Sequence, residues 1–252
     1  MENRDSVVSY INRTLDIAAF EDYCPNGLQV AGRQEIRHIV SGVTASQRFL
    51  DAAIDAGADA VLVHHGYFWR GESQVLTGMK LARIKRLLEA DLSLMAYHLP
   101  LDVHPELGNN AQLAKVLSLI VDERVSAGGT PGLFFVGHLA EPVSCAQFSA
   151  KVSAALGRTA TVVGHHNRPV KRVGWCTGGA QRFIGQAIDL GLDAYISGEI
   201  SEQTAHEARE SGVLFVAAGH HATERYGVQA LGAQISSNLQ VTHQFIDVDN
   251  PA

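Results

Sequence analysis

Cysteine is scarce in this 252-residue chain: Cys24, Cys145 and Cys176 lie far apart and form no CxxC pair. That spacing excludes both a disulfide framework and a thiolate zinc site. Prolines number only seven, and charged residues make up 18% against 46% hydrophobic, a balance that excludes a disordered chain. No apolar run reaches the roughly 18 residues that a membrane span needs. The opening residues, MENRDSVVSYINRTLD, carry charges where a secretory leader has its apolar stretch, so the chain reads as cytoplasmic. Positive charge is not in excess either. A formal net charge of -6 argues against a broad nucleic-acid-binding face, and Arg168, Lys171 and Arg172 read as an ordinary solvated surface.

What the chain does have is histidine, twelve in all, with adjacent pairs at 64–65, 165–166 and 220–221. It also repeats itself. IVSGVTASQRFLDAAIDAGADAVLVHH (39–65) matches VGWCTGGAQRFIGQAIDLGLDAYISGE (173–199) at a constant offset, pairing Gln47 with Gln181, Arg48 with Arg182, Phe49 with Phe183 and Asp59 with Asp193. Each copy reads as strand, small-residue turn, helix, glycine, strand. The expected strands are 38–43 and 60–63 in the first copy, and 171–176 and 194–197 in the second. Apolar residues at helical spacing fill SQRFLDAAIDAG and AQRFIGQAIDLG, each closed by glycine. Such a βαβ unit implies parallel pairing with a right-handed crossover. The likeness continues: a helical stretch, an apolar run, then His98-x3-Asp102 in one half and His220-x3-Glu224 in the other. The chain therefore reads as an α/β protein of duplicated two-half architecture, with βαβ units and mixed sheets. The expected halves are 1–124 and 125–252, joined through AGGTPG at 127–132, and the last apolar run, Val241–Val248, fits either half.

Ligands gather at the carboxyl ends of strands in open α/β sheets. His64, His65, His98 and His220 each follow an apolar run, with Asp102 and Glu224 in the adjoining loops. Each histidine alone reads as an ordinary core or surface residue. Four imidazoles and two carboxylates at matching strand ends read as a metal site between the halves. Nitrogen and oxygen ligands suit Zn, Mn, Fe(II) or Ni, and the missing thiolates favour a catalytic over a closed structural site. Successive strand residues point in different directions, so two ions about 3.5–4 Å apart accommodate His64 and His65 better than one. Gly66 then lets the chain turn away, and Tyr67, Phe68 and Trp69 wall the crevice or a subunit contact. His165–His166 is followed by Asn167-Arg168-Pro169, which is turn chemistry with no nearby acid, and is set aside. His221 reads equally as solvent-facing or substrate-facing.

PNGLQV (25–30), SGVTAS (41–46), DAVLVHHGYFW (59–69), HLPLDVHPELGNN (98–110), CTGG (176–179), SGEISEQ (197–203) and AAGHHATER (217–225) together resemble the GTP cyclohydrolase I type 2 homolog family, the NGG-interacting-factor-like proteins. The likeness spans almost the whole chain and is nearest to short bacterial members without an inserted middle domain. It implies two divalent ions held by His64, His65, Asp102, His220 and Glu224, and a ring-shaped homohexamer. His98 is not a required ligand of that pattern and is expected beside the metals or as a proton carrier, with a purely structural role as its alternative. Glu199 matches His65 in the repeat and is expected in the same crevice, with a capping or salt-bridging role as its alternative.

Two metals at such a site imply hydrolysis by activated water, with a nucleotide or purine-type small molecule as substrate. Phosphoester hydrolysis fits the same ligands. The competing class is a non-catalytic protein that binds metal or a partner. SGVTAS and CTGG sit where a phosphate could meet helix N–H groups, but glycine and Ser/Thr are also what a tight βα turn and N-cap require.

Overall fold

The computed structural model describes residues 1–165 and 167–252, which divide into two compact units. The first comprises Met1–Gly108 and Gly227–Asp249; the second comprises Asn109–Tyr226 and Asn250–Ala252.

In the first unit, strands β4 (His38–Thr44), β5 (Ala60–His65) and β6 (Ser93–Ala96) run parallel. β13 (Thr242–Phe245) adds in parallel beside β4, and β2 (Gly27–Val30) pairs antiparallel with β6. The order is β13-β4-β5-β6-β2, while β1 (Glu2–Asn3) and β3 (Glu35–Ile36) form a separate two-stranded ribbon. Adjacent residues along β4 and β5 serve opposite cores. Ile39, Ala60 and Leu62 pack with Val7 and Ile11 of α1 (Arg4–Thr14) and Leu231 and Ile235 of α10 (Arg225–Asn238). Val40, Val61 and Val63 pack with Phe49 and Leu50 of α2 (Gln47–Asp55) and Leu87 of α3 (Gly78–Glu89). A sheet covered on both faces explains why VLV and IVSGV read as continuous apolar runs rather than alternating ones. The short α4 (Leu99–Val103) follows β6.

The second unit opens with α5 (Asn109–Val116), followed by β7 (Leu119–Ala127) and β8 (Thr130–Val143), an antiparallel hairpin. Next come α6 (Cys145–Leu156), β9 (Thr161–Val163) and β10 (Val170–Trp175). Then α7 (Ile184–Asp189), β11 (Ala194–Ser197), α8 (Glu202–Ser211), β12 (Leu214–Ala217) and the four-residue α9 (His220–Thr223) complete it. Its sheet order is β7-β8-β10-β11-β12-β9, with β10, β11 and β12 parallel. Trp175 is fully buried in its core with Phe148, Val152 and Ile196.

The repeat seen in the sequence is a repeat of register. Ile39 pairs with Ala60 and Val173 pairs with Ala194, each of the second pair lying 134 residues beyond its counterpart. The shared aspartates have a common structural task. Asp59 Oδ2 accepts from the backbone N–H groups of Arg37 and His38, and Asp193 Oδ2 accepts from those of Lys171 and Arg172.

Two expectations need correction, and one open choice is decided. AGGTPG is not a linker: Ala127 and Thr130 pair across the β7–β8 turn, and the chain passes between the units at 108–109, 226–227 and 249–250 instead. Gly-rich turn chemistry serves a hairpin as well as a linker, and the apolar strands flanking it decide the matter. The final strand belongs to the first unit, through its pairing with β4. The second copy's helix is not a clean copy of the first. Ser46 caps α2 by accepting from Phe49 N, but the equivalent residue is Ala180, which makes no side-chain cap, and the segment begins as a 3₁₀ turn at Gln181–Phe183 before α7.

Among the described residues, no helix is long and apolar enough to cross a membrane.

Candidate metal centre

In the first unit the candidate site lies at the carboxyl ends of β5 and β6. Parallel pairing of Val63 with Ala96 brings His64, His65 and His98 to one edge. The His64 and His65 rings are 4.6 Å apart, and His64 and His98 are 5.1 Å apart. One ligand atom from each of the three lies within 4.8 Å of the others. His64 is fully buried, and its Nδ1 donates to Tyr97 O at 2.9 Å. A carbonyl oxygen only accepts, so Nδ1 carries the proton and Nε2 carries the lone pair in the neutral ring. That Nε2 faces buried Asp102 Oδ1 at 3.4 Å. Two acceptors pointed at each other call for a shared cation, which is either a proton or a metal. His65 Nδ1 lies 3.2 Å from Thr44 Oγ1, so the adjacent imidazoles are anchored to different neighbours, as their alternation along the strand predicts.

The flanking residues VHHGYFW divide their tasks. Tyr67 is core, its hydroxyl donating to Ala45 O, while Phe68 packs under Lys80. Trp69 stands edge-on to His98 at 5.0 Å and so walls the imidazole group. Glycine at 66 answers a demand for room: an added Cβ would overlap Gln29 Oε1 and sit 2.6 Å from Ala96 Cβ. Gln29 Oε1 is already engaged, accepting from Tyr67 N.

The second unit builds its group from three strand ends. His220 Nδ1 lies 2.7 Å from Glu199 Oε1, and its Nε2 lies 3.3 Å from Glu224 Oε2. Gln181 Nε2 donates to the other Glu199 oxygen at 3.3 Å. Burial works against a charged ring, but Glu224 and then Glu199 outweigh it and raise the His220 pKa from 6.5 to about 9. The metal-free protein thus holds a proton on His220 at neutral pH, where a metal would take its place. A folded-state value above the unfolded one stabilises fully below pH 6.5 and loses that contribution as pH rises through 9. The melting temperature of the chelator-treated protein is therefore expected to decline between these two pH values. Glu199→Gln should flatten the decline, and a wild-type profile with no slope in that window would refute the assignment.

All the residues expected at the site lie in one or other of these groups: His64, His65, His98 and Asp102 in the first unit, and Glu199, His220 and Glu224 in the second. Glu199 engages His220 directly, the salt-bridging alternative of the sequence reading. His221 is buried, with its backbone N–H on Ala252 O. His165 lines a surface cavity with Ser144, Gln147 and Arg168 and with no carboxylate; His166 lies outside the described residues. After SGVTAS, the Phe49 N–H serves an ordinary N-cap, Ser46.

Two residues were missed. Asp22 accepts from His98 Nδ1 at 2.7 Å; burial opposes its ionisation, but His98, Asn26 and the Tyr23 N–H hold its pKa down at about 2. Asn110, fully buried, accepts from Trp175 Nε1 through its backbone and from Thr177 N through its side chain, fixing the end of β10. Both belong to motifs or neighbours of motifs, but nothing local in the sequence names their partners.

The donor set fits divalent metal: imidazoles anchored at Nδ1, carboxylates facing Nε2 of His64 and His220, and a second carboxylate orienting His220 from behind. The Duf34/NIF3 (NGG1p interacting factor 3) model matches residues 2–251. The chain belongs to this family. It is 56% identical over 247 residues to a Pseudomonas aeruginosa protein named GTP cyclohydrolase 1 type 2 homolog, covering 98% of each chain. A protein of the same name from Escherichia coli K12 is 52% identical over 243 residues, covering 96% of each. The solved structure of the protein ybgI, described as of unknown function, superposes with a TM-score of 0.95 at 50% identity, covering 99% of this chain and 100% of the other. The Duf34/NIF3 fold is thus the fold of this chain, and the mixed α/β units above are its form here.

Proposed function

We propose that this chain is a dinuclear-metal-dependent hydrolase of a nucleotide or purine-type small molecule, with His64, His65, Asp102, His220 and Glu224 as ligands to two divalent ions drawn from Zn, Mn, Fe and Ni. The observation that carries the reading is that a carboxylate faces Nε2 of each imidazole while Nδ1 is held by an acceptor: His64 Nε2 lies 3.4 Å from Asp102 and His220 Nε2 lies 3.3 Å from Glu224, with the Nδ1 atoms on Tyr97 O and Glu199. When bound, such ions supply an activated water and polarise the substrate. The chain's own part is to hold the imidazoles. Tyr97 O keeps the His64 proton on Nδ1, Glu199 does the same for His220, and Trp69 closes one side of the first group. The name of the relatives, GTP cyclohydrolase 1 type 2 homolog, supports the substrate class. We read the protein as a cytoplasmic homohexamer.

The test is metal analysis after reconstitution, followed by a panel of nucleotides and phosphoesters assayed with wild type, His64→Ala and Glu224→Ala. Metal-dependent turnover lost in both variants supports the hydrolase, and turnover confined to phosphoesters moves the substrate class. A metal content near zero sinks the centre. Tight binding without turnover shifts the assignment to a non-catalytic metal- or partner-binding regulator.

A further inference from the structure

The segment 20–26 lies before both sequence repeats, yet it grips the end of β6. Asp22 accepts from Tyr23 N at 2.6 Å, Leu99 N at 2.9 Å and Asn26 Nδ2 at 2.8 Å, as well as facing His98 Nδ1 at 2.7 Å. Asn26 Oδ1 in turn accepts from His98 N at 2.7 Å. A carboxylate that takes three N–H groups is an acceptor toward the imidazole too. The His98 proton therefore sits on Nδ1, and the lone pair sits on Nε2.

His98 then matches its neighbours. His64 has the same tautomer, set by Tyr97 O, and the ligand atoms of His64, His65 and His98 fall within 4.8 Å of one another. The ring is packed in place by Trp69 at 5.0 Å and Tyr23 at 6.0 Å. The second unit uses the same device: His220, the repeat counterpart of His98, has Nδ1 held at 2.7 Å by Glu199. A carboxylate behind Nδ1 is the usual means of orienting an imidazole toward a metal, and three imidazoles are a familiar catalytic donor set. We propose that His98 is a third imidazole ligand in the first unit, its Nε2 turned toward the metal by Asp22. This rests on the metal reading given above and adds a ligand that the family pattern does not require.

The test uses the full chain and two probe metals. Nitrogen-15 spectra of the metal-free protein should show His98 protonated at Nδ1, and zinc should move its Nε2 resonance to the coordinated position. With cobalt(II), each coordinated imidazole gives one paramagnetically shifted, exchangeable N–H signal, and His98→Gln should remove one of them. Asp22→Asn should weaken cobalt(II) binding by about ten- to a hundred-fold. Should His98→Gln misfold, the wild-type nitrogen-15 measurement decides alone. An Nε2–H tautomer without metal, a His98 resonance unmoved by bound zinc, or an unchanged count of shifted signals would each overturn the ligand role. Zinc and cobalt bound without any response from His98 leaves the hydrolase proposal standing, whereas no uptake by wild type removes both.

Discussion

In Asp102→Asn, divalent-metal affinity should fall by more than the roughly ten- to a hundred-fold that losing an orienting partner costs, while the metal-free protein melts at or slightly above the wild-type temperature. The two effects separate because the site is built for a cation. With His64 neutral, its one proton goes to Tyr97 O, and its Nε2 then meets the Asp102 carboxylate acceptor to acceptor at 3.4 Å, with both side chains buried. Asparagine has the same shape and offers an Nδ2–H donor, turning that opposition into a hydrogen bond of about 1 kcal/mol. The same change removes the negative charge a metal needs. Wild type held at a hundred times its dissociation constant should gain about 2.7 kcal/mol from metal, or very roughly 5–10 °C in melting temperature. Asp102→Asn should gain almost none. Calorimetric titration and melting curves with and without metal read both quantities. Unaltered affinity would remove Asp102 from the ligand set; a metal-free variant several kcal/mol less stable would show that the native pair is already satisfied by a proton.

The repeat makes half of this legible in the sequence. Identity at a fixed offset in Asp59/Asp193 reflects an identical backbone clamp on strands of identical register, both local to the βαβ unit. Strand ends carry the ligands because apolar runs stop there, and those stops can be read directly. Asp22 was invisible for the opposite reason. Its partners His98 and Leu99 lie 76 and 77 residues away, and its own segment has no periodicity to announce a contact. Ala180 shows how a repeat can mislead: the copy keeps the apolar face of its helix but loses the Ser46 cap, so the first turn tightens into 3₁₀ geometry. The hairpin at 127–130 and the return of 227–249 to the first unit depend on which partner a strand finds, which composition does not encode.

Gly178→Ala is expected to damage the ligand group of the second unit with a single added methyl. Gly178 has φ +69°, where a side chain costs about 1–2 kcal/mol. An added Cβ would also overlap the Glu224 carboxylate and come within 3.1 Å of His220 Nε2. Retreat is blocked on the backbone side: Gly178 N donates to Thr223 Oγ1, and Gly178 O accepts from Gly198 N at 2.9 Å and Ser197 Oγ at 3.2 Å. Glu224 must move instead, and it is buried at 3% exposure with little room to do so. Strain and displaced contacts together should cost about 2–4 kcal/mol and disrupt the Glu224–His220 pair. Gly185→Ala supplies the control. That glycine lies in α7 with nothing within 4 Å of an added Cβ, so the same substitution should stabilise by about 0.5–1 kcal/mol. Denaturant melts of both variants, with metal uptake measured beside them, should give changes of opposite sign in stability and loss of metal in Gly178→Ala alone. Equal and small effects would mean that the CTGG turn yields to a side chain, and that glycine at 178 is not what holds Glu224 against His220.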